Sequence, residues 1–325
     1  MTLITLVEAV NLALAYELEH DASVVLIGED IGQNGGVFRA TQGLQQRFGA
    51  ERVLDTPLAE NMIAGIAVGM AIQGLKPVAE IQFMDFICSA IDQILSHAAR
   101  MRNRTRGRLS CPLVIRAPSG GGIRAPEHHS DSLEALFSQI PGLRVVIPSS
   151  PARAYGLLLA AIRDPDPVIF MEPKRIYRLV KEEVLNNGEA LPLDVCFTLR
   201  DGKDLTLVSW GAMIHETLLV ADELAKQNIT AEVIDVATLK PLDCDTILKS
   251  VEKTGRCVIV QEANPTCSVS SEIAAQLAEK GLTSLLAPIQ RVTGYDTVMP
   301  LYRLEKAFLP SQQRIMHAVK RVLEL

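Results

Sequence analysis

The stretch Asp55-Thr56-Pro57-Leu58-Ala59-Glu60-Asn61-Met62-Ile63-Ala64-Gly65-Ile66-Ala67-Val68-Gly69-Met70-Ala71 decides how the chain is read. Thr56 is of the type that caps orphan helix amides, and Pro57 has its backbone angle preset for a first helical position, so a helix is predicted to start here. The run from Met62 to Ala71 is apolar nearly all round, which predicts a buried helix. Glu60 is then a carboxylate in the first turn of an apolar helix. On one reading it only neutralises the positive helix end, worth roughly 0.3–1 kcal/mol; on the other it does chemistry. Gly65 and Gly69, four apart with Ala64, Ala67 and Ala71 nearby, permit close approach of either a partner helix or the chain's own sheet.

Upstream, Thr5-Leu6-Val7-Glu8 is a capping-box pattern that opens a helix to about Glu19. Ser23-Val24-Val25-Leu26-Ile27-Gly28 reads as a strand buried on both faces, with Glu29-Asp30 at its carboxyl end, where open α/β sheets place ligands. A loop (Gly32 to Gly36) and a short helix (Thr41 to Phe48) come next. Downstream, Pro77 to Gln82 predicts a strand and Asp85 to Arg102 one long helix with a basic end at Arg100, Arg102, Arg104 and Arg106. The strand Pro112 to Arg116 runs into the irregular loop Ala117 to Ser130. Its glycines 120, 121 and 122 lack the Lys-Ser/Thr pair of a phosphate loop, whereas the adjacent His128 and His129 can titrate near neutral pH.

Strands at Arg144–Pro148 and Pro167–Glu172 flank a helix at Pro151–Arg163. Such alternation predicts an α/β fold with a largely parallel sheet covered on both faces. We expect a first domain over residues 1–180, a linker over 181–203 and a second α/β domain over 204–325, with strands near 205–211, 231–235 and 257–260 and helices near 215–227, 243–253 and 270–280.

With 325 residues, 48% of them apolar, the chain can bury a large core. A net charge of −6 without a basic block argues against nucleic acid or an anionic membrane as partner. The six cysteines show no metal-ligand spacing and read as reduced core thiols. No run has signal-peptide character or membrane-spanning length, so a cytoplasmic protein is expected.

The landmarks Gly28-Glu29-Asp30, Gly35-Gly36-Val37-Phe38-Arg39, Asp55 to Glu60, Glu80-Ile81-Gln82-Phe83-Met84-Asp85-Phe86, Cys111 to Arg116, His129-Ser130 and Pro167 to Lys174 carry a family resemblance in their order and spacing. The chain resembles, essentially end to end, the beta subunit of the decarboxylating, thiamine-diphosphate-dependent component of 2-oxoacid dehydrogenase complexes. The resemblance implies a transketolase-like pyrimidine-binding domain followed by a transketolase C-terminal domain. It makes Glu60 the carboxylate that exchanges a proton at the cofactor's pyrimidine nitrogen, assistance typically worth ~10²–10⁴ in rate. It implies that Phe86 packs on the pyrimidine ring, with Gln82 at a neighbouring contact and Glu29 close behind. Glutamine at 82 resembles the bacterial and branched-chain types; some mitochondrial relatives carry Met there. His129, in the run Glu127-His128-His129-Ser130-Asp131-Ser132, takes the place of the histidine that handles acyl transfer to a lipoyl group, where many relatives read His-Ser-Gln-Ser. A structural potassium is implied at Leu113, Ala161, Ile162, Asp164 and Asp166, although a plain turn at 163–167 needs no ion.

Three functions compete. The first is the beta subunit itself, acting on pyruvate, a branched-chain 2-oxoacid or acetoin. It needs an alpha partner in an alpha₂beta₂ assembly to supply magnesium and diphosphate contacts, and it docks on a dihydrolipoyl acyltransferase core. The second is a stand-alone transketolase-like enzyme, which requires a Gly-Asp-Gly signature; Arg200-Asp201-Gly202-Lys203 is the nearest approach. The third is a non-catalytic scaffold subunit, which has no need of Glu60 or His129.

Overall fold

The computed structural model describes residues 2–324. Two compact units emerge, one of Met1–Ser119 with Leu136–Leu193, the other of Gly120–Ala135 with Asp194–Leu325. Among the described residues no helix is long and apolar enough to cross a membrane.

The first unit contains β1 (Thr2–Thr5), β2 (Val24–Glu29), β3 (Val53–Thr56), β4 (Lys76–Glu80), β5 (Val114–Ser119), β6 (Arg144–Val146), β7 (Val168–Pro173) and β8 (Lys181–Val184). Six of these form a parallel sheet in the order β6-β7-β5-β4-β2-β3. Continuous apolar runs such as Val24-Val25-Leu26-Ile27 fill its centre because both faces are covered. The helix Leu6–His20 packs on the helix Pro151–Arg163. Local signals fix both starts. The Glu8 carboxylate accepts from the Thr5 amide at 2.7 Å and hydroxyl at 2.6 Å, and Ser150 accepts from the Arg153 amide ahead of Pro151 at the first turn.

Three expectations need correction. The organising helix spans Glu60–Ile72 with Ala59 as its cap residue, because β3 runs through Thr56 and leaves Pro57 in the intervening turn; Thr56 caps nothing. Nor is that helix buried all round: Ile63, Ala64, Ala67, Val68 and Ala71 pack inward, while Met62 and Ile66 are exposed. The expected long helix from Asp85 is broken into a 3-10 segment, Met84–Ala90, a π-helical turn, Gln93–Ala98, and a short helix, Met101–Arg104.

The second unit contains β9 (Phe197–Arg200), β10 (Leu205–Ser209), β11 (Ala231–Asp235), β12 (Thr238–Lys240), β13 (Cys257–Val260) and β14 (Gln290–Val292). Its sheet runs β14-β13-β10-β11-β9, parallel except for β9. The stretch 181–203, read as a linker, thus holds two strands: β8 pairs antiparallel with β1, and β9 with β11. Helices Met213–Ala225, Cys244–Thr254, Val269–Lys280 and Gln312–Leu323 complete the unit. Cys88 and Cys267 are exposed, unlike the buried Cys111, Cys244 and Cys257, so the core-thiol reading holds for only part of the set.

Candidate active site

Strand order brings the first group of residues together. Because β2 lies between β3 and β4, the segments leaving the carboxyl ends of these three strands are neighbours. Glu29 ends β2, Glu60 opens the helix after β3, and Gln82 and Phe86 come after β4. This edge is where parallel α/β sheets hold ligands. Burial first, then the charges of Asp30 and Glu60, push the Glu29 carboxyl above its ordinary range, so Glu29 and Glu60 share one electrostatic environment. The broken helix has a use here. Its tight 3-10 winding stacks residues three apart, and Ser89 Oγ donates to the Phe86 carbonyl at 3.0 Å and to Glu60 Oε2 at 3.3 Å. The half-buried Phe86 ring stands edge-on to Phe83, 5.6 Å between centroids, and Phe83 in turn meets Phe38 at 5.5 Å.

Beneath lies an ionic cluster. Arg116, 1% exposed, forks onto Glu172 with Nε–Oε1 2.6 Å and Nη2–Oε2 2.7 Å, and its Nη1 donates to Glu80. The Tyr177 hydroxyl also donates to Glu172. Burial pushes the Glu80 carboxyl up, against the pull of Arg116. Gly36, with left-handed backbone, lies so close to Glu80 that a Cβ there would come within 3.0 Å of Oε1.

His129 belongs to the second unit. It is half-buried, with Nδ1 2.9 Å from the Glu127 carbonyl, whereas His128 is exposed and has left-handed backbone. The glycine run ahead of them faces carboxylates of its own chain: the Gly121 amide donates to Glu262 and the Gly122 amide to Glu305 at 2.9 Å. A cavity of about 110 Å³ in this unit is lined by Ser130, Asp131, Ser132, Glu262, Asn264 and Thr297 among others. Glu134, fully buried, is pushed up to about 7 by burial first and then by the Glu262 charge, against the hydrogen bond from the Trp210 indole at 3.4 Å.

Residues 3–180 match the transketolase pyrimidine-binding domain, and residues 196–315 the transketolase C-terminal domain. The chain is 47% identical to the pyruvate dehydrogenase E1 component subunit beta of Bacillus subtilis over 324 residues, all of both chains. It is 48% identical to the subunit of the same name from Acholeplasma laidlawii, covering 99% of this chain and 98% of that one. This chain belongs to the 2-oxoacid dehydrogenase E1 beta subunit family. Its fold is also that of a split gene transketolase, an inactive beta4 tetramer, with TM-score 0.79 and 24% identity over 99% of both chains.

Within this family fold, the segment expected to hold potassium is a closed turn. The Leu113 carbonyl accepts from the Val168 amide at 2.9 Å and the Ala161 carbonyl from the Asp164 amide at 3.3 Å, leaving each a second lone pair. Asp164 Oδ1 takes Arg144 at 3.1 Å and the Asp166 amide at 2.8 Å, and Asp166 takes Arg102 at 2.8 Å. The carbonyls fit a hard cation; the carboxylates are already balanced by arginines. Among polar residues of the E1 beta chain that sequence reasoning passed over are Glu80, Arg116, Glu172, Glu262 and Glu305. Acidic and basic residues inside otherwise apolar strands were the available signal for the first three.

Proposed function

We propose that this E1 beta subunit forms the pyrimidine half of a thiamine-diphosphate site that decarboxylates pyruvate and passes the acetyl unit to a lipoyl group. The observation that carries the reading is Glu60: a carboxylate on a helix start, at the carboxyl edge of β2, β3 and β4, beside Glu29 and an aromatic ring. These residues fit a pyrimidine, which offers ring nitrogens to a carboxylate and a flat face to Phe86. The cofactor supplies the nucleophilic carbon and the electron sink. Glu60 holds and exchanges the proton at the pyrimidine nitrogen, and Ser89 keeps the carboxylate turned toward the 3-10 segment that carries Phe86. Glu29, whose carboxyl is raised by burial and then by the charges of Asp30 and Glu60, lies in the same electrostatic environment as the acid at the pyrimidine. Gln82 adds an amide contact. His129 positions and supplies a proton during acyl transfer.

The reading includes an alpha subunit in an alpha₂beta₂ assembly, with magnesium and the diphosphate held by alpha. Leu58, 68% exposed, continues along the Glu60 helix as exposed Met62 and Ile66, an unusual strip for a folded surface. A Cβ on Gly69 would meet nothing within 4 Å, so this glycine does not serve packing against the chain's own sheet. That supports a partner-facing role for Gly69, whereas a Cβ on Gly65 would meet the chain's own Gln93 side chain at 3.4 Å. Docking to a dihydrolipoyl acyltransferase core and a potassium at Leu113, Ala161, Ile162, Asp164 and Asp166 rest on the family resemblance. The acid is taken as pyruvate from the names of the relatives.

The test is co-expression with an alpha subunit and assay of 2-oxoacid decarboxylation. Pyruvate is expected to be turned over ahead of branched-chain acids and acetoin. Glu60→Gln should keep the assembly and lose ~10²–10⁴ in rate; retention of more than about a tenth of the activity counts against the assignment. A partner-free chain that binds thiamine diphosphate with magnesium and turns over substrate refutes the half-site.

A further inference from the structure

We propose that Glu262 and Glu305 are positioning residues that pin the loop carrying His128 and His129, their carboxylates filling the glycine run as a ligand's anion fills a phosphate loop. The proposal rests on the reading of His129 given above for its functional consequence, and on geometry alone for the anchor. Three backbone amides on the rising limb end on these two side chains: Gly121 on Glu262, then Gly122 and Arg124 on Glu305 Oε1 at 2.9 and 3.1 Å. Glu262 Oε1 also accepts from Ser132 Oγ at 3.3 Å, so one carboxylate holds the chain on both sides of the histidine pair. The Gly120 amide donates to the Asp131 carbonyl at 3.1 Å and closes the base.

Both carboxylates are buried, Glu262 at 8% and Glu305 at 4% exposure. Glu262 leaves the carboxyl end of β13, and Glu305 opens the helix Glu305–Phe308. The loop needs this support. Gly120, Gly122, Arg124 and His128 all have left-handed backbone, which a non-glycine residue holds only where its surroundings over-determine it. Gly120 is what lets the Glu262 carboxylate in, since a Cβ there would lie 2.6 Å from Oε1; a Cβ on Gly121 would instead lie 2.7 Å from the Met299 methyl. Charged acceptors make shorter, stronger bonds to amides than neutral ones do. Glu262 and Glu305 therefore fix where the imidazole of His129 stands without touching the substrate.

The experiment uses the enzyme assembled with its alpha partner and a lipoyl acceptor. Decarboxylation is followed with an artificial electron acceptor, acyl transfer with the lipoyl domain, and amide exchange over residues 120–132 by mass spectrometry, for Glu305→Ala, Glu305→Gln, Glu262→Ala and the reference His129→Ala. Glu305→Ala should speed exchange at Gly122 and Arg124 and lower kcat for acyl transfer by about ten- to a hundredfold, the scale of a misplaced catalytic group. Decarboxylation should stay within about twofold, and Glu305→Gln, which keeps the accepting oxygen, should recover transfer to within about threefold. If Glu305→Ala does not assemble, Glu262→Ala, which removes the acceptor of the Gly121 amide and the Ser132 hydroxyl, carries the same comparison. Unchanged exchange, or transfer and decarboxylation falling together, overturns the anchor. If His129→Ala leaves transfer intact while exchange in Glu305→Ala speeds up, the anchor stands and the role given to His129 is what fails.

Discussion

Replacing Arg116 by Met keeps most of the side-chain volume and deletes the guanidinium between Glu80 and Glu172, whose side chains are 5% and 0% exposed. Two buried carboxylates then face each other, and each answers by holding a proton. Keeping a carboxyl neutral at about pH 7 when it ionises near 4.3 in the unfolded chain costs about 3.5 kcal/mol, so the pair sets a ceiling of about 7. The native chain, however, bears the cost of dehydrating the guanidinium, which the variant is spared. The net loss should be about 3–5 kcal/mol, as for other buried pairs broken on one side. Raised folded-state values set the sign with pH: below the unfolded value near 4.3 the penalty is absent, and it grows as pH rises toward the folded values. Urea unfolding at about pH 7.5 and about pH 5 should therefore show a deficit that narrows at the lower pH. Adding Glu80→Gln and Glu172→Gln should restore most of the loss, since Tyr177 can still donate to the amide at 172. A deficit under about 1 kcal/mol, or one independent of pH, refutes the reasoning.

Trp210, the single tryptophan, donates to Glu134, whose carboxyl is pushed up to about 7 by burial, so intrinsic fluorescence should titrate with a midpoint near that value and lose the transition in Glu134→Gln. In the same variant, unfolding stability should rise relative to the parent at about pH 8 and converge with it at about pH 4.5, because a raised folded value penalises the native state only above the unfolded one. The Ser23 hydroxyl first, and Lys76 after burial is set against it, hold the Asp21 carboxyl at about 2; its stabilising share is full above the ordinary 3.8 and vanishes as pH falls through 2. Asp21→Asn should thus lower the thermal midpoint at neutral pH and match the parent in strong acid. Ile66→Asp should weaken binding to the alpha partner by about a hundredfold or more, read by sedimentation, while leaving the isolated chain's circular dichroism unchanged.

Much of the fold is written locally. The capping box at Thr5 and Glu8, the Ser150-Pro151 start and the apolar runs of β2, β7 and β13 each depend on near neighbours, and they place the alternation that leads to a parallel sheet. Glu60 is legible for the same reason: a lone carboxylate in an apolar run stands out. The anchor residues do not, because Glu305 reaches the Gly122 amide from 183 positions away, and an exposed-looking acid in the last quarter of a chain carries no mark of its destination. Arg116 sits in a run, Leu113-Val114-Ile115-Arg116, where a single cation reads as a strand end. The Glu60 helix misled in the opposite sense. Periodicity reports where apolar side chains are, and Met62 and Ile66 look the same whether they face the chain's own core or a surface kept for another molecule.

That ambiguity has a cellular consequence. The strip Leu58, Met62 and Ile66 runs along the same short stretch of chain as Glu60, so, under the function proposed above, the surface for assembly and the acid for turnover cannot be inherited or lost independently by shuffling segments. Under the same proposal, a subunit made without its partner displays this apolar strip beside the acid assigned to catalysis. Chaperones and proteases recognise exposed apolar strips, so on that proposal the supply of one chain would be metered against the supply of the other.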